Sequence, residues 1–192
     1  MKLKRILAAL LTAAALLSLA LPAAASGGSF SDINDHSTAV NVDVLRLMGA
    51  VSGDSDGTFR PNDVLTRAQF CKMAVYAMNG EDELGRYSTV TVFPDVKPSY
   101  WASSYINMAA KGKGIIAGYA DGQFHPDRTV TVGQAVTILL RLLGYKDENL
   151  GGIWPQSYMA EAASIGMTDG VSTNAYAALT RAQAARLFLN LL

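Results

Sequence analysis

The side chains best suited to binding chemistry in this sequence are two arginines, each at the second position of a Thr-Arg-Ala-Gln tetrapeptide. Arg67 follows Thr66, and Arg181 follows Thr180. The Thr and Gln fit a helix capping box, so each arginine would lie in the first turn of a helix, where its charge opposes the helix dipole. Helix stability therefore does not explain why an arginine stands at this position. A guanidinium beside helix N–H groups can bind a carboxylate, although a surface ion pair with an acidic neighbour would also explain its presence.

A third capping box has no arginine. Thr131 and Gln134 occupy the box positions, but Val132 stands where the other two copies have Arg. Helix capping accounts for the Thr and Gln of all three boxes without any ligand. One of the three predicted helix entrances therefore lacks a guanidinium.

Six further residues are candidates for ligand contact. Indoles offer a flat apolar face with a polar N–H to spare, and glycines allow close approach of a backbone. The two aspartates are candidates through the family resemblance described below. Each type has a structural alternative, because the tryptophans could fill the core and the Asp and Gly residues could simply form turns. The candidates are Asp32, Gly53, Asp95, Trp101, Gly118 and Trp154.

Catalytic and cofactor sites are not predicted. The two histidines, His36 and His125, have no Ser or Cys partner in a motif, and Cys71 lies in an apolar helical pattern typical of a small buried side chain. The Asp-rich turn that begins at Asp54 resembles a calcium loop, but the twelfth position, which needs an acid, is Leu65. The sequence thus predicts a protein that is not an enzyme and holds no cofactor or metal. A hydrolase with an unrecognised carboxylate pair is a weaker hypothesis.

These candidate residues belong to an internal repeat. Residues 53–61 and 118–126 share Gly, Asp, Gly, Phe and Pro at an offset of 65, and Phe-x-Asp opens both copies. A third copy keeps Trp154 and the capping box but lacks the Phe-x-Asp opening. We predict three units with these bounds: repeat 1 with its connector at 26–88, repeat 2 at 89–150, and a degenerate repeat 3 at 151–192.

Each unit has the pattern of a helix, a turn and a second helix. The first helix is clearest over residues 99–113, an Asp-Gly turn follows, and Phe59 and Phe124 are placed to fill the core behind it. The polar stretches 80–88 and 146–152 are typical of connectors. A unit with one apolar face cannot bury that face alone, so the units must stack or close around a pseudo-threefold axis. The predicted class is all-α.

The first 25 residues have the pattern of a signal peptide. A basic start is followed by an uncharged apolar run over 6–21 and by three alanines at 23–25. After cleavage the chain would carry 13 basic and 16 acidic residues, a net charge of −3. An acidic secreted protein without a basic face is not expected to bind nucleic acid.

The ordered motifs resemble the S-layer homology (SLH) family. Its repeat runs from Phe-x-Asp through a Trp-bearing helix, Gly-Ile-Ile-x-Gly and Tyr-x-Asp-Gly-x-Phe-x-Pro to Thr-Arg-Ala-Glu. Repeat 2 carries this order from Phe93 to Pro126, and repeat 1 carries it from Phe30 to Gln69, with Gln for the family's Glu. The resemblance implies a three-pronged spindle around a central helical bundle. It also implies grooves that bind secondary cell-wall polymers, including pyruvylated N-acetylmannosamine, with the box arginine in contact with the ligand. Because repeat 2 has Val132 in place of that arginine, the resemblance implies that its groove is silent or altered, and that one or two grooves rather than three are competent.

The leading hypothesis is therefore non-covalent attachment to cell-wall glycan by a secreted protein at the cell wall or cell surface. The alternative is a structural envelope protein whose helical repeats assemble with an envelope partner while its sugar grooves have decayed.

Overall fold

The computed structural model describes residues 30–192, and the predicted signal peptide lies outside the described residues. In this part of the chain helices dominate and strand pairing is limited to isolated bridges, which confirms the all-α class. The helices are α1 His36–Leu47, α2 Arg67–Ala77, α3 Ser103–Asn107, α4 Val132–Leu142, α5 Asp147–Leu150, α6 Gln156–Ser164 and α7 Arg181–Leu191. A 3-10 helix spans Glu81–Tyr87, and α3 continues as a π-helical turn over Met108–Gly112.

The three predicted capping boxes are all present. The hydroxyl oxygens of Thr66, Thr131 and Thr180 accept hydrogen bonds from the backbone N–H of the glutamine three residues on, at 3.2, 3.3 and 3.2 Å. The glutamine side chains accept in return from the three threonine N–H groups. These bonds fix where α2, α4 and α7 begin. Gly144, with φ of 98°, ends α4 as its sequence position predicts.

A closed ring of three backbone hydrogen bonds joins the residues that precede the boxes. The N–H of Leu65 donates to the carbonyl of Leu179 at 3.0 Å, Leu179 donates to Val130 at 3.0 Å, and Val130 donates to Leu65 at 2.9 Å. Each repeat donates one of these hydrogen bonds and accepts another. Repeat 1 is therefore bonded directly to repeat 3 as well as to repeat 2. The three helix entrances are therefore joined in a closed cycle. The pseudo-threefold axis and the three-pronged outline of a spindle stay predictions.

The first N–H groups of each central helix donate to the turn of another repeat. In α2, Arg67 donates to the carbonyl of Arg128 and Ala68 donates to that of Pro126, at 2.9 and 3.0 Å. The equivalent bonds from α4 and α7 are Val132 to Ala177, Gly133 to Ala175, Arg181 to Asp63, and Ala182 to Pro61. The expectation that free helix N–H groups stand beside the arginines is therefore wrong, because other repeats already occupy those donors.

The packed helix pairs also cross between repeats. Helices α2, α4 and α7 surround the centre, where the rings of Phe70 and Phe188 lie 5.4 Å apart. The outer helices α3, α6 and α1 pack against α2, α4 and α7 respectively. Each pair thus combines the second helix of one repeat with the first helix of the next. The helix pairs of the described residues therefore pack between repeats, which agrees with the prediction that the units must associate.

The turns that carry the core phenylalanines are held by aspartates. Phe59 and Phe124 are fully buried, as predicted, and the residue after each one has a positive φ, 56° and 54°. The carboxylate of Asp32 accepts from the N–H of Phe59 at 2.8 Å and from the next N–H at 2.6 Å. Asp95 accepts the equivalent bonds at 2.9 and 2.7 Å. These bonds stabilise a left-handed conformation that is unfavourable for residues with side chains.

Two local expectations differ from the structure, and a third is confirmed. The first helix of repeat 2 begins at Ser103, so Trp101 lies before it rather than within it. Both connectors contain short helical segments, because Gly80 is followed by the 3-10 helix and Lys146 is followed by α5. The expected burial of Cys71 is confirmed, and loss of hydration raises the pKa of its thiol to about 12.

We expect Thr131→Ala to lower the free energy of unfolding by about 1 kcal/mol, because the N–H of Gln134 loses its acceptor. Urea unfolding followed by circular dichroism measures the change. Thr173→Ala, at an exposed position outside the boxes, is the control and should leave stability unchanged. Equal stability of the two variants would contradict the structural role of the box.

We expect stability to fall in acid. The pKa of Asp56 is lowered to about 2, chiefly because the hydroxyl and N–H of Thr58 donate to its carboxylate. The folded protein therefore favours the ionised form of Asp56, and this preference stabilises the fold. The stabilisation is complete above the ordinary aspartate pKa of about 4. It is lost as the pH falls towards the pKa of Asp56 in the folded protein. Urea unfolding at a series of acidic pH values should show a weaker pH dependence for Asp56→Asn than for wild type. An unchanged pH dependence would show that Asp56 makes no such contribution; Asp82→Asn, at an exposed position, serves as the control.

Candidate functional site

A surface cavity of about 390 Å³ lies where the three repeats meet beside the entrance of α2. Its volume falls in the range of small-ligand sites. Arg67 comes from repeat 1, the segment around Gly118 comes from repeat 2, and Trp154 comes from the third unit. We call this cavity the main groove. Its principal polar and aromatic lining residues are Arg67, Tyr119, Gln134, Arg141, Trp154 and Tyr158.

Arg67 is held in a fixed position at one side of the main groove. It is only 7% exposed, and its guanidinium lies 4.6 Å from the ring centroid of Tyr119 and 4.7 Å from that of Phe124. Its Nε donates to the carbonyl of Phe124 at 3.0 Å, and Nη2 donates to that of Ala117 at 3.2 Å. A guanidinium has five N–H donors, so these two bonds orient it without using all of its capacity.

The charge of Arg67 has no acidic partner in the part of the chain that the structure describes, where the ion pairs are formed by other residues. Burial is the main effect that lowers the pKa of its guanidinium, and the positive charge of Arg128 acts in the same direction. A buried cation without a counter-charge is unfavourable. An anion that enters the main groove would relieve this cost.

Arg181 shares with Arg67 the bond to a phenylalanine carbonyl and the position over that ring, but its electrostatic surroundings differ. Its Nε donates to the carbonyl of Phe59 at 2.6 Å, and its guanidinium lies 4.6 Å from that ring. Burial lowers the pKa of this arginine too, while the negative charges of Asp54 and Asp63 oppose the shift. Asp54 occupies the repeat position that Tyr119 fills beside Arg67. The entrance of α7 is therefore partly neutralised by acids of its own chain.

The entrance of α4 has no guanidinium. Val132, in the arginine position, is fully buried. The chain packs tightly there, because a Cβ on Gly133 would lie 3.1 Å from atoms of both Ala175 and Pro155. That the groove at this entrance does not bind ligand stays a prediction, and the close packing supports it.

Trp154 forms a half-exposed wall of the main groove. Its side chain is 47% exposed, and its indole N–H donates to Oγ1 of Thr137 at 2.9 Å. The Thr137 hydroxyl donates in turn to the carbonyl of Gly133 at 2.7 Å. The expectation of a spare indole N–H is therefore wrong, but the same bond fixes the orientation of the ring.

Trp101, the equivalent residue of repeat 2, is 54% exposed and lies 5.8 Å from the ring of Tyr100. It is not among the residues that line the main groove. Neither Trp101 nor Trp154 fills the core, so the structure does not support the alternative that these indoles are core residues.

The remaining predicted site residues have structural contacts. Asp32 and Asp95 bind the backbone of the phenylalanine turns, as described above. A Cβ on Gly53 would lie 2.1 Å from a ring atom of Phe30, and a Cβ on Gly118 would lie 2.7 Å from one of Phe93. Packing thus requires both glycines, and Gly118 also lines the main groove. A sugar-binding role for these residues stays a prediction.

Sequence reasoning missed several residues of the main groove. The amide of Gln134 donates to the hydroxyl of Tyr119 at 2.9 Å. Arg141 pairs with Asp147 at 2.9 Å, and the hydroxyl of Tyr158 donates to the same carboxylate. A signal was present in the aligned repeats, because Tyr119 and Arg141 differ in chemical type from their counterparts at an offset of 65. Such differences mark where one copy has diverged from the others.

Within 30–192, no group of His, Cys, Asp and Glu side chains is arranged to hold a metal ion. The helices in that range lack the length and apolar character needed to cross a membrane.

The sequence model of the S-layer homology domain family matches residues 29–71 and 92–136 of this chain. The chain is 31% identical over 173 residues to a cell surface protein of Thermoanaerobacter kivui and 30% identical over 128 residues to a surface layer protein of Brevibacillus choshinensis. These matches cover 88% and 67% of this chain. An amylopullulanase of Thermoanaerobacterium thermosulfurigenes is 33% identical over 182 residues, or 85% of this chain.

The chain spans only a small part of these relatives, 22%, 11% and 9% of their respective lengths. The shared part carries the repeats. The two matched repeats, together with the third capping box that completes the ring, show that the chain belongs to the S-layer homology domain family and that its third repeat is degenerate.

Proposed function

We propose that this protein attaches non-covalently to the bacterial cell wall by binding an acidic secondary cell-wall polysaccharide in the main groove. The observation that carries the proposal is the buried guanidinium of Arg67, which has no ion-pair partner among the described residues and lies at the wall of a cavity of suitable size. Family membership supports the coarser statement that the protein acts in attachment at the cell wall or cell surface.

The main groove offers complementary contacts for an acidic sugar. A carboxylate, such as that of a pyruvyl ketal on N-acetylmannosamine, would accept charge-assisted hydrogen bonds from Arg67. The oriented indole of Trp154 offers a face for a pyranose ring. Gln134 and Tyr119 supply groups that can bind sugar hydroxyls. Binding through these contacts requires no bond to form or break, so we propose that the chain is not an enzyme.

The two arginines provide a matched comparison of charge. Both are oriented by the carbonyl of a buried phenylalanine and both lie over its ring, while Arg67 also donates to Ala117 and lies over Tyr119. Only Arg181 has Asp54 and Asp63 acting on it. A difference in binding between two variants of equal thermal stability therefore reports on the groove.

We expect Arg67→Ala to weaken binding to purified cell-wall sacculi by about 10- to 100-fold, as loss of hydrogen bonds to a charged group predicts. Arg181→Ala should change binding by less. Co-sedimentation measures the bound fraction, and thermal unfolding checks that both variants fold equally well.

Binding of Arg67→Ala at the wild-type level would contradict the proposal. If Arg67→Ala combined with Arg181→Ala still sediments fully, the result favours a structural protein that assembles through its repeats. Release of reducing sugar from the same sacculi would support a hydrolase instead.

We expect Trp154→Ala to weaken sacculus binding by about 30-fold, because aromatic contacts at the centre of a binding site commonly contribute about 2 kcal/mol. Trp101→Ala, a similarly exposed tryptophan outside the main groove, is the control. Equal losses for the two variants in a binding titration would show that the indole of the main groove has no special role.

A further inference from the structure

The entrances of α2 and α7 are built on the same backbone hydrogen bonds. The N–H of Arg67 donates to the carbonyl of Arg128 at 2.9 Å, and the N–H of Arg181 donates to that of Asp63 at 2.9 Å. Arg128 and Asp63 each donate their own N–H to the carbonyl three residues before them, at 3.1 Å in both turns. Asp63 therefore holds at α7 the position that Arg128 holds at α2.

A second pair of equivalent positions is filled by Tyr119 at α2 and by Asp54 at α7. The ring of Tyr119 lies 5.2 Å from that of His125, six residues further on, and 4.6 Å from the guanidinium of Arg67. Asp54 also contacts the residue six positions further on, because its Oδ2 lies 3.3 Å from Nε of Arg60. At α7 a carboxylate therefore replaces an aromatic ring of the main groove.

These two replacements reverse the electrostatic character of the entrance. At α2, Arg67 and Arg128 are both cations, and their guanidiniums lie 4.6 and 5.1 Å from the centroid of one tyrosine ring. At α7, the negative charges of Asp54 and Asp63 are the strongest influences that oppose the effect of burial on the pKa of Arg181. A cation that already has carboxylates beside it attracts a ligand carboxylate less strongly than a cation without them.

The walls beside the α7 entrance retain groups suited to a sugar. Trp101 stands two residues before α3, as Trp154 stands two residues before α6, and both indoles are about half exposed. Helix α3 packs against α2 as α6 packs against α4. Lys72 holds the repeat position of Thr137, which lines the main groove, and its Nζ lies 5.5 Å from a tyrosine ring centroid. We call the α7 entrance with Arg181 and these walls the latent groove.

We propose that Asp54 and Asp63 close the latent groove to acidic sugars, because their carboxylates already neutralise the charge of Arg181 that a ligand would otherwise use. The chain then binds one acidic sugar, in the main groove, instead of two. The inference rests on the proposed function and adds to it the two residues that set the number of binding sites.

Isothermal titration of the full chain with pyruvylated N-acetylmannosamine counts the sites. Wild type should bind one equivalent. Asp54→Tyr combined with Asp63→Arg gives the α7 entrance the residues of the α2 entrance and should raise the count to two. Asp54→Asn combined with Asp63→Asn removes the same two negative charges with little change of side-chain size, and it should also uncover a second site, of lower affinity. Thermal unfolding checks that each variant folds.

Adding Arg181→Ala to either double variant is the control, and it should return the count to one. A second equivalent that persists without Arg181 would overturn the latent groove, because the gain would then come from added positive charge in general.

The remaining outcomes separate the two proposals. If wild type binds one equivalent that depends on Arg67, and both double variants also bind only one, the latent groove is overturned and the proposed function stands. Two equivalents in wild type would also overturn the closing role of the aspartates. Absence of binding by wild type and by both double variants would overturn both proposals.

Discussion

The ring of backbone hydrogen bonds among Leu65, Val130 and Leu179 is the constraint on which the structure depends. It brings together three chain segments that are far apart in sequence and places the start of each central helix beside the turn of another repeat. The first N–H groups of those helices then find carbonyl acceptors across repeats. A helix entrance that would otherwise be exposed to solvent thereby becomes an interface between units.

This arrangement explains why an arginine in the first turn of a helix is retained despite its unfavourable position in the helix dipole. The side chains of Arg67 and Arg181 reach across the interface to the carbonyls of Phe124 and Phe59, respectively. Each arginine therefore has a structural role that was not anticipated, in addition to any role in binding. The structural contacts are shared by both copies, whereas the surrounding charges are not.

Divergence on a shared scaffold separates the three entrances chemically. One has a buried cation between aromatic rings, one has the same cation near acids, and one has a valine under tightly packed backbone. Electrostatic attraction in a partly buried site depends strongly on whether a counter-charge is already present. On this ground we place the acidic ligand at Arg67 rather than at the other two entrances.

The sequence alone determined the local structure. The capping boxes, the burial of Phe59 and Phe124 and the end of α4 at Gly144 follow from short-range hydrogen bonding and hydrophobic patterning, which depend on neighbouring residues. The repeat offset also indicated that the units must associate. A role for Arg67 other than helix stability could also be predicted from its position against the helix dipole, and its bonds to the carbonyls of Phe124 and Ala117 agree with this.

Only the tertiary structure decided which residues share a groove. Trp154 belongs to a different unit from Arg67, and Arg141 and Asp147 meet between a helix and a connector. The turn role of Asp32 likewise depends on backbone N–H groups 27 and 28 residues away. Such contacts arise from the way the units close into a cycle, and a linear pattern contains no distances between units. The sequence therefore supplied the chemical groups, and the closure of the three repeats determined which of them could act together.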